Sequence, residues 1–221
     1  MTPSVLKTLS NATEVIQSLD GLFAAVLHTV AMSPLTRMAQ FQETTIVGCR
    51  LQVAIVLYRR KPGMFPQAMA GVPPSDENHA CQAAKYALDL QQTLVEFVLS
   101  NKPDFRVRGR IALGSGSLVG GVMNTAIPRF FVYGDLVPFS LRLLSSMGED
   151  GGIAIGQSTK DLLDRTEYVT EPRGRINFRD KSHTSYWLSG TKETLKQVFE
   201  VHNLQRNTIM RRPVFVKDIE H

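Results

Sequence analysis

The stretch IPRFFVYGDLVPFSLRL, from Ile127 to Leu143, decides how this chain is read. Its aromatic and β-branched residues at Phe130–Tyr133 predict a short strand. Gly134–Asp135 predicts a turn. Leu136–Ser146 predicts a helix, and Pro138 fits its first turn because the amide that proline lacks has no helical partner there. Two more informative segments flank it: RIALGSGSLVGGVM (Arg110–Met123) and EPRGRINFRDKSHTSYWLSG (Glu171–Gly190).

Working outward, residues 12–31 place Val15, Ile16, Leu19, Leu22, Phe23, Val26, Leu27 and Val30 on one helical face. Met38–Ile46 and Arg50–Tyr58 predict two strands around a turn at Val47–Gly48, and the Pro/Gly/Ala-rich Arg59–Asn78 predicts a long surface loop. Ala80–Val98 reads as a helix with Ala80, Ala84, Ala87, Leu88, Leu94, Val95 and Val98 on its apolar face. Phe105–Leu113 reads as one strand, Ile153–Ile155 as another, Ser158–Asp164 as a short helix, and Arg175–Phe178 and Thr184–Leu188 as closing strands. Strands mixed with helices, with adjacent antiparallel pairs, indicate an α+β fold. The expected organisation is one domain over 1–190 and an amphipathic helix with a basic tail over 191–221, the helix carrying Leu195, Val198, Phe199 and His202.

With 221 residues the chain can build a sizeable core. No apolar run approaches the roughly 18–20 residues that a membrane-spanning helix needs, and the N-terminal residues lack a signal-peptide pattern. The two cysteines, Cys49 and Cys81, form no metal or redox pair, and the five histidines show no ligand spacing. A reduced, intracellular and cytoplasmic setting is therefore expected, with attachment to a membrane or cytoskeletal assembly only through partners. The net charge of +5 suits an anionic small ligand or an acidic partner surface. Nothing in the pattern of basic residues points to nucleic acid.

The three segments, in this order and spacing, resemble the class III nucleotide cyclase catalytic domain, most closely its guanylate cyclase branch. That family reads R-I-G-I-H-x-G-x-V-x-x-G-V, then M-P-R-Y-C-L-F-G-D-x-V-N-x-A-S-R-M, then E-P-R-G-x-I-x-V-K-G-K-G-x-M-x-T-Y-W-L. The likeness covers roughly residues 12–190, and it implies a ferredoxin-like core with an antiparallel-rich sheet and packed helices. It also implies a chemistry: the ribose 3′-oxygen attacks the α-phosphate and pyrophosphate leaves, with two metal ions carrying most of the electrostatic work.

The resemblance assigns roles residue by residue, and several are broken. Two aspartates hold the family's metals. The first lies in an opening strand that the sequence, which begins near the first helix, does not supply. The second lies in K-V-E-T-I-G-D-A-Y-M, matched by FQETTIVGCR, where the aspartate position falls on Val47 or, with a one-residue insertion, on Cys49. Neither is a carboxylate, and magnesium needs anionic oxygen. Magnesium or manganese is therefore expected only if a partner supplies the ligands. Glu43 matches the glutamate that reads guanine, though an ordinary strand residue fits equally well. Phe131 replaces the second base-reading residue, and a core aromatic is the simpler reading. In G-D-x-V-N-x-A-S-R, Gly134, Asp135, Val137 and Arg142 match, whereas Pro138 replaces the ribose-orienting asparagine. Arg142 keeps a positive fork for phosphate, though an exposed helix arginine fits equally well. Arg179 falls on the phosphate-binding lysine, and Lys181 keeps the second one, though a strand-end salt bridge fits that site equally well. The glycines of Gly114–Gly121 fail phosphate-loop spacing and are read as the family's strand-to-helix turn, with Gly114 at the family histidine.

Class III cyclases work as head-to-tail dimers with shared sites. The expectation is a catalytically degenerate homologue that pairs with a cyclase-like domain, as homodimer or heterodimer, or serves as a scaffold in a larger assembly. The alternative is the complementary half of an active heterodimer, with GTP or ATP as substrate.

Overall fold

In a computed structural model, residues 12–32, 36–39, 52–57, 67–71, 77–99, 102–106, 109–123, 129–148, 151–197 and 200 are described. Strands β1 (Thr36–Ala39), β2 (Gln52–Leu57), β3 (Gln67–Ala70), β6 (Arg110–Gly116), β9 (Gly152–Gly156), β10 (Tyr168–Phe178) and β11 (Lys181–Thr191) form a seven-stranded sheet in the order β1-β3-β2-β6-β9-β11-β10. Only the β6–β9 pair is parallel; every other pair in this sheet is antiparallel. Two small ribbons stand apart: β4 (Val98–Leu99) with β5 (Lys102–Arg106), and β7 (Val119–Met123) with β8 (Arg129–Tyr133). The helices are α1 (Ala12–Ala31), α2 (His79–Glu96), α3 (Leu136–Ser145) and α4 (Gln157–Leu163).

The period-2 alternation of the central strands sorts these helices into layers. Ile111 and Leu113 on β6, with Ile153 and Ile155 on β9, pack against Ala83, Ala84, Tyr86, Ala87, Leu90 and Leu94 of α2 and Leu163 of α4. The intervening residues are small. Ala112 and Ala154 face Leu143, Leu144 and Met147 at the end of α3. Gly114 and Gly156 let α3 come closer still: a Cβ on Gly114 would lie 2.6 Å from Ser140 Oγ and 2.7 Å from Leu136 Cδ1, and one on Gly156 would lie 2.8 Å from Phe139. Large residues thus build the main core on the α2 side, where each fully buried Leu or Ile contributes about 1.5–3 kcal/mol. Small ones set the close α3 side.

The α+β expectation is met, and the helices and closing strands lie where the patterns put them. Four readings change. Of the expected strand Met38–Ile46 only Met38 and Ala39 are described, on β1; the turn at Val47–Gly48 lies outside the described residues, and in the sheet β1 and β2 are separated by β3. That strand, QAMA, lies inside the segment read as a loop. Its Met69 and Ala70 are buried, but without β-branched residues it carries no strand signature. The single strand Phe105–Leu113 is two, β5 and β6, with Gly109 just before the second. Gly109 passes so near α2 that a Cβ there would lie 2.2 Å from Leu94 Cδ1. The Gly114–Gly121 segment joins strand to strand, not strand to helix, and Gly114 in it serves close packing rather than positive φ. Finally, Val95 and Val98 are exposed and Leu90 takes the buried position, since the ladder 80, 83, 84, 87, 90, 94 follows the α-helical period more closely. Residues 192–197 are helical, in line with the start of the expected C-terminal helix.

Two polar ties cross this core. Thr29 Oγ1 on α1 lies 3.1 Å from Thr93 Oγ1 on α2. The Tyr168 hydroxyl donates to the Cys81 carbonyl at 3.0 Å. Burial pushes the Tyr168 phenol from 10.0 up to about 12.

Two outcomes are expected. Gly114→Val should destabilise the domain by about 1–3 kcal/mol through overpacking against α3, read as a lower urea midpoint at unchanged m-value. The Tyr168 phenol holds its proton more tightly in the fold than in the unfolded chain. Its contribution is therefore complete below pH 10.0 and is lost as the pH rises toward 12. Tyr168→Phe should flatten that alkaline loss in a stability-versus-pH series.

Candidate functional site

The site begins at the first turn of α3. The Phe139 amide donates to the Asp135 carbonyl at 2.9 Å and closes that turn. Asp135 occupies the N-cap position but makes no side-chain cap hydrogen bond. An N-cap carboxylate ordinarily accepts from the second or third helical amide. The third residue here is Pro138, which has no amide to give. The Asp135 carboxylate turns instead to Arg179, whose Nη1 lies 2.7 Å from Oδ1 and 2.8 Å from Oδ2.

Arg179 and Asp180 form the two-residue turn between β10 and β11, closed by the Phe178–Lys181 pair. Both carry positive φ, 46° and 59°. A two-residue hairpin of this hand suits the sheet twist but prefers Asn-Gly, so an Arg-Asp turn is a strained choice. The hairpin touches α3 a second time where Arg142 Nε donates to the Asn177 carbonyl at 3.0 Å. Between the two contacts Phe139, Phe178 and His183 pack edge to face, with centroids 5.3–6.3 Å apart. The Arg179 guanidinium also lies 5.7 Å from the centre of the Phe178 ring. Lys181 opens β11 and is exposed.

Asp135, Arg142 and Arg179, singled out in the sequence, thus meet where α3 packs on the β10–β11 hairpin, and Lys181 is the residue that follows its turn. Both partners of the Asp135–Arg179 pair are 64% exposed, so the pair contributes less than about 1 kcal/mol to stability. Glu43, Val47 and Cys49 lie outside the described residues. Phe131 is placed on β8, but its side chain is outside the described part. The stretch matched to the family's metal strand, which lies outside the described residues, has one carboxylate in its sequence, Glu43, and among the described residues no three His, Cys, Asp or Glu side chains converge.

A feature that the sequence reading missed lies at the other end of α3. Arg173 Nη1 donates to Ser146 Oγ at 2.9 Å and to Ser185 Oγ at 3.3 Å, and Nη2 donates to the Ser146 carbonyl. Its guanidinium stacks over Trp187, 4.9 Å from the ring centre. Ser185 Oγ donates to the Gly174 carbonyl at 2.9 Å. Arg173 therefore ties the end of α3 to the same hairpin whose turn meets its start. The signal was present in E-P-R-G and Y-W-L, but nothing in the spacing alone brings them to Ser146.

The segments that carry these residues fall in a region that matches known proteins. Residues 65–190 match the family described as Adenylate and Guanylate cyclase catalytic domain. The chain is 34% identical over 127 residues to the receptor-type guanylate cyclase gcy-28 of Caenorhabditis elegans, a match covering 57% of this chain and 10% of that protein. It is 31% identical over 140 residues to retinal guanylyl cyclase 1 of Bos taurus, covering 62% and 12%. The matched region is thus about a tenth of the length of these curated relatives. In fold it resembles the guanylate cyclase domain of RhGC from Catenaria anguillulae in complex with GTP, with a TM-score of 0.65 at 19% identity, covering 86% of this chain and 91% of that one. A dimeric guanylyl cyclase domain of the RhoGC fusion protein from Blastocladiella emersonii gives 0.63 at 21% identity, covering 86% and 90%.

Arg173→Lys keeps the charge and loses the fork. It should cost about 1.5–3 kcal/mol in urea unfolding and shift the emission of Trp187, the only tryptophan of the chain. An unchanged spectrum would argue against the clamp.

Proposed function

Because the chain belongs to the adenylate and guanylate cyclase catalytic domain family, we propose that it is a catalytically degenerate cyclase subunit that acts by pairing with another cyclase-like domain. One observation carries this reading. Arg142 and Arg179 put basic groups on α3 and on the hairpin turn it meets, while among the described residues no three His, Cys, Asp or Glu side chains converge. A polyphosphate could be held here, but in the stretch matched to the family's metal strand neither Val47 nor Cys49 is an anionic oxygen ligand for the ions that activate the attacking oxygen. Pro138 removes the ribose-orienting amide as well.

Pairing is supported by the β7–β8 ribbon. It stands outside the main sheet, and its Val119 is 73% exposed and so available to a partner. Homodimer, heterodimer and membership of a larger assembly all fit this arm. An intracellular, cytoplasmic setting suits a nucleotide ligand. Among the described residues no helix is long and apolar enough to cross a membrane.

A second reading has its own support. The same cation cluster fits the complementary half of an active heterodimer, whose partner brings the metal carboxylates and whose substrate is GTP or ATP.

The isolated chain should form no cyclic nucleotide from GTP or ATP with magnesium or manganese, and clear turnover by pure protein would overturn the degenerate reading. Val119→Asp should weaken association measured by sedimentation, and a native protein that stays monomeric at high concentration would remove the pairing argument. With a metal-competent partner, Arg142→Ala separates the two readings. A complementary half should lose about 10²–10³-fold in kcat while the pair stays assembled. A scaffold should show no change.

A further inference from the structure

The cations of the site are not equally available. Arg142 spends its Nε on the Asn177 carbonyl, and its two terminal nitrogens carry no described hydrogen bond. Lys181 has no described acceptor. Arg179 alone is taken by a carboxylate, Asp135, through a nitrogen that touches both oxygens at 2.7 and 2.8 Å. Two features bear on this pair. Pro138 removes the third helical amide, one of the two from which an N-cap carboxylate can accept. Arg142 fastens the strand two residues before Arg179 to the same helix.

We propose that Asp135 is an internal competitor for the anion-binding guanidinium of Arg179, freed for that task by Pro138, so that a nucleoside polyphosphate binds only by displacing this carboxylate. The inference rests on reading the Arg142–Arg179–Lys181 cluster as a phosphate site. Its logic is that of any self-occupied site. The measured dissociation constant is the intrinsic one divided by the fraction of molecules with Arg179 open. The closed site is the ground state. A monoanion exchanges one carboxylate contact for one of similar strength and gains little. A triphosphate that reaches Arg142 and Lys181 as well gains contacts that Asp135 does not compete for. Affinity for nucleotide in the resting chain is therefore low by construction, and any event that draws Asp135 away raises it.

The test is calorimetric titration of the full chain with GTP at low salt, without divalent metal. Asp135 is exposed, so Asp135→Asn should fold as the native chain does. It should bind GTP about three- to tenfold more tightly, the range left by removing an exposed ion pair and one nearby negative charge. The gain must vanish on an Arg179→Ala background. Pro138→Ala, which restores the amide without adding a carboxamide, should give a smaller gain in the same direction. Equal or weaker binding by Asp135→Asn, a gain that persists without Arg179, or no GTP binding by either chain would each overturn the proposal. The degenerate-subunit reading is decided by turnover and association, so its failure would be seen separately.

Discussion

Everything at the site depends on how closely α3 approaches the sheet. β6 and β9 present Ala112, Gly114, Ala154 and Gly156 on the α3 side and Ile111, Leu113, Ile153 and Ile155 on the other. One face is built to be filled and the other to be approached. The helix descends until Leu136, Phe139 and Ser140 lie where glycine side chains would have been. Asp135 at its start is thereby brought to the β10–β11 turn, and Arg142, further along, to Asn177 on β10. The cost is visible in Ser140 Oγ, which is fully buried and has no hydrogen-bond partner among the described residues. A hydroxyl stranded in this way costs about 1–3 kcal/mol, a penalty the surrounding packing must outweigh.

The second constraint is that one hairpin holds α3 at both ends. Arg173, seated between Ser146, Ser185 and Trp187, fixes the helix end, while Arg142 and Arg179 meet Asn177 and Asp135 nearer its start. The two ends differ in kind. The Arg173 contacts are partly buried and stacked, where hydrogen bonds of a charged group count most. The Arg179 contact is open to water and screened by salt. Rigidity at one end and exchange at the other is the arrangement a ligand-responsive site requires.

The sequence was most legible where pattern and chemistry coincide. PRFFVYGDLVPFSLR gave strand, turn and helix with the right proline tolerance, and the helices Ala12–Ala31 and His79–Glu96 followed from their period. It was least legible where a residue type pointed the wrong way. QAMA forms a strand in mid-sheet because its neighbours offer it a ladder, and Met69 and Ala70 fill the space. Gly114 and Gly116 looked like turn formers but are strand residues, and at Gly114 the lack of bulk is what the close approach of α3 requires. The cations of the site were all named from sequence, yet their partners were not. Asp135 facing Arg179 and Arg142 facing a carbonyl are tertiary facts that spacing does not encode.

Strand β10 is the outer margin of the sheet, eleven residues long, and such a margin is an open template for another chain. Here the template is spoiled along its length. Register shifts fall at Val169/Thr170 and Pro172/Gly174, and Pro172 has no amide to offer. Arg175 is exposed, and Arg142 has already claimed the carbonyl of Asn177. Strand-by-strand accretion cannot proceed across that border. When copies of this chain meet at high concentration, this side of the molecule should therefore resist the runaway stacking that leads to fibres, and contacts made there must be between side chains and of limited extent.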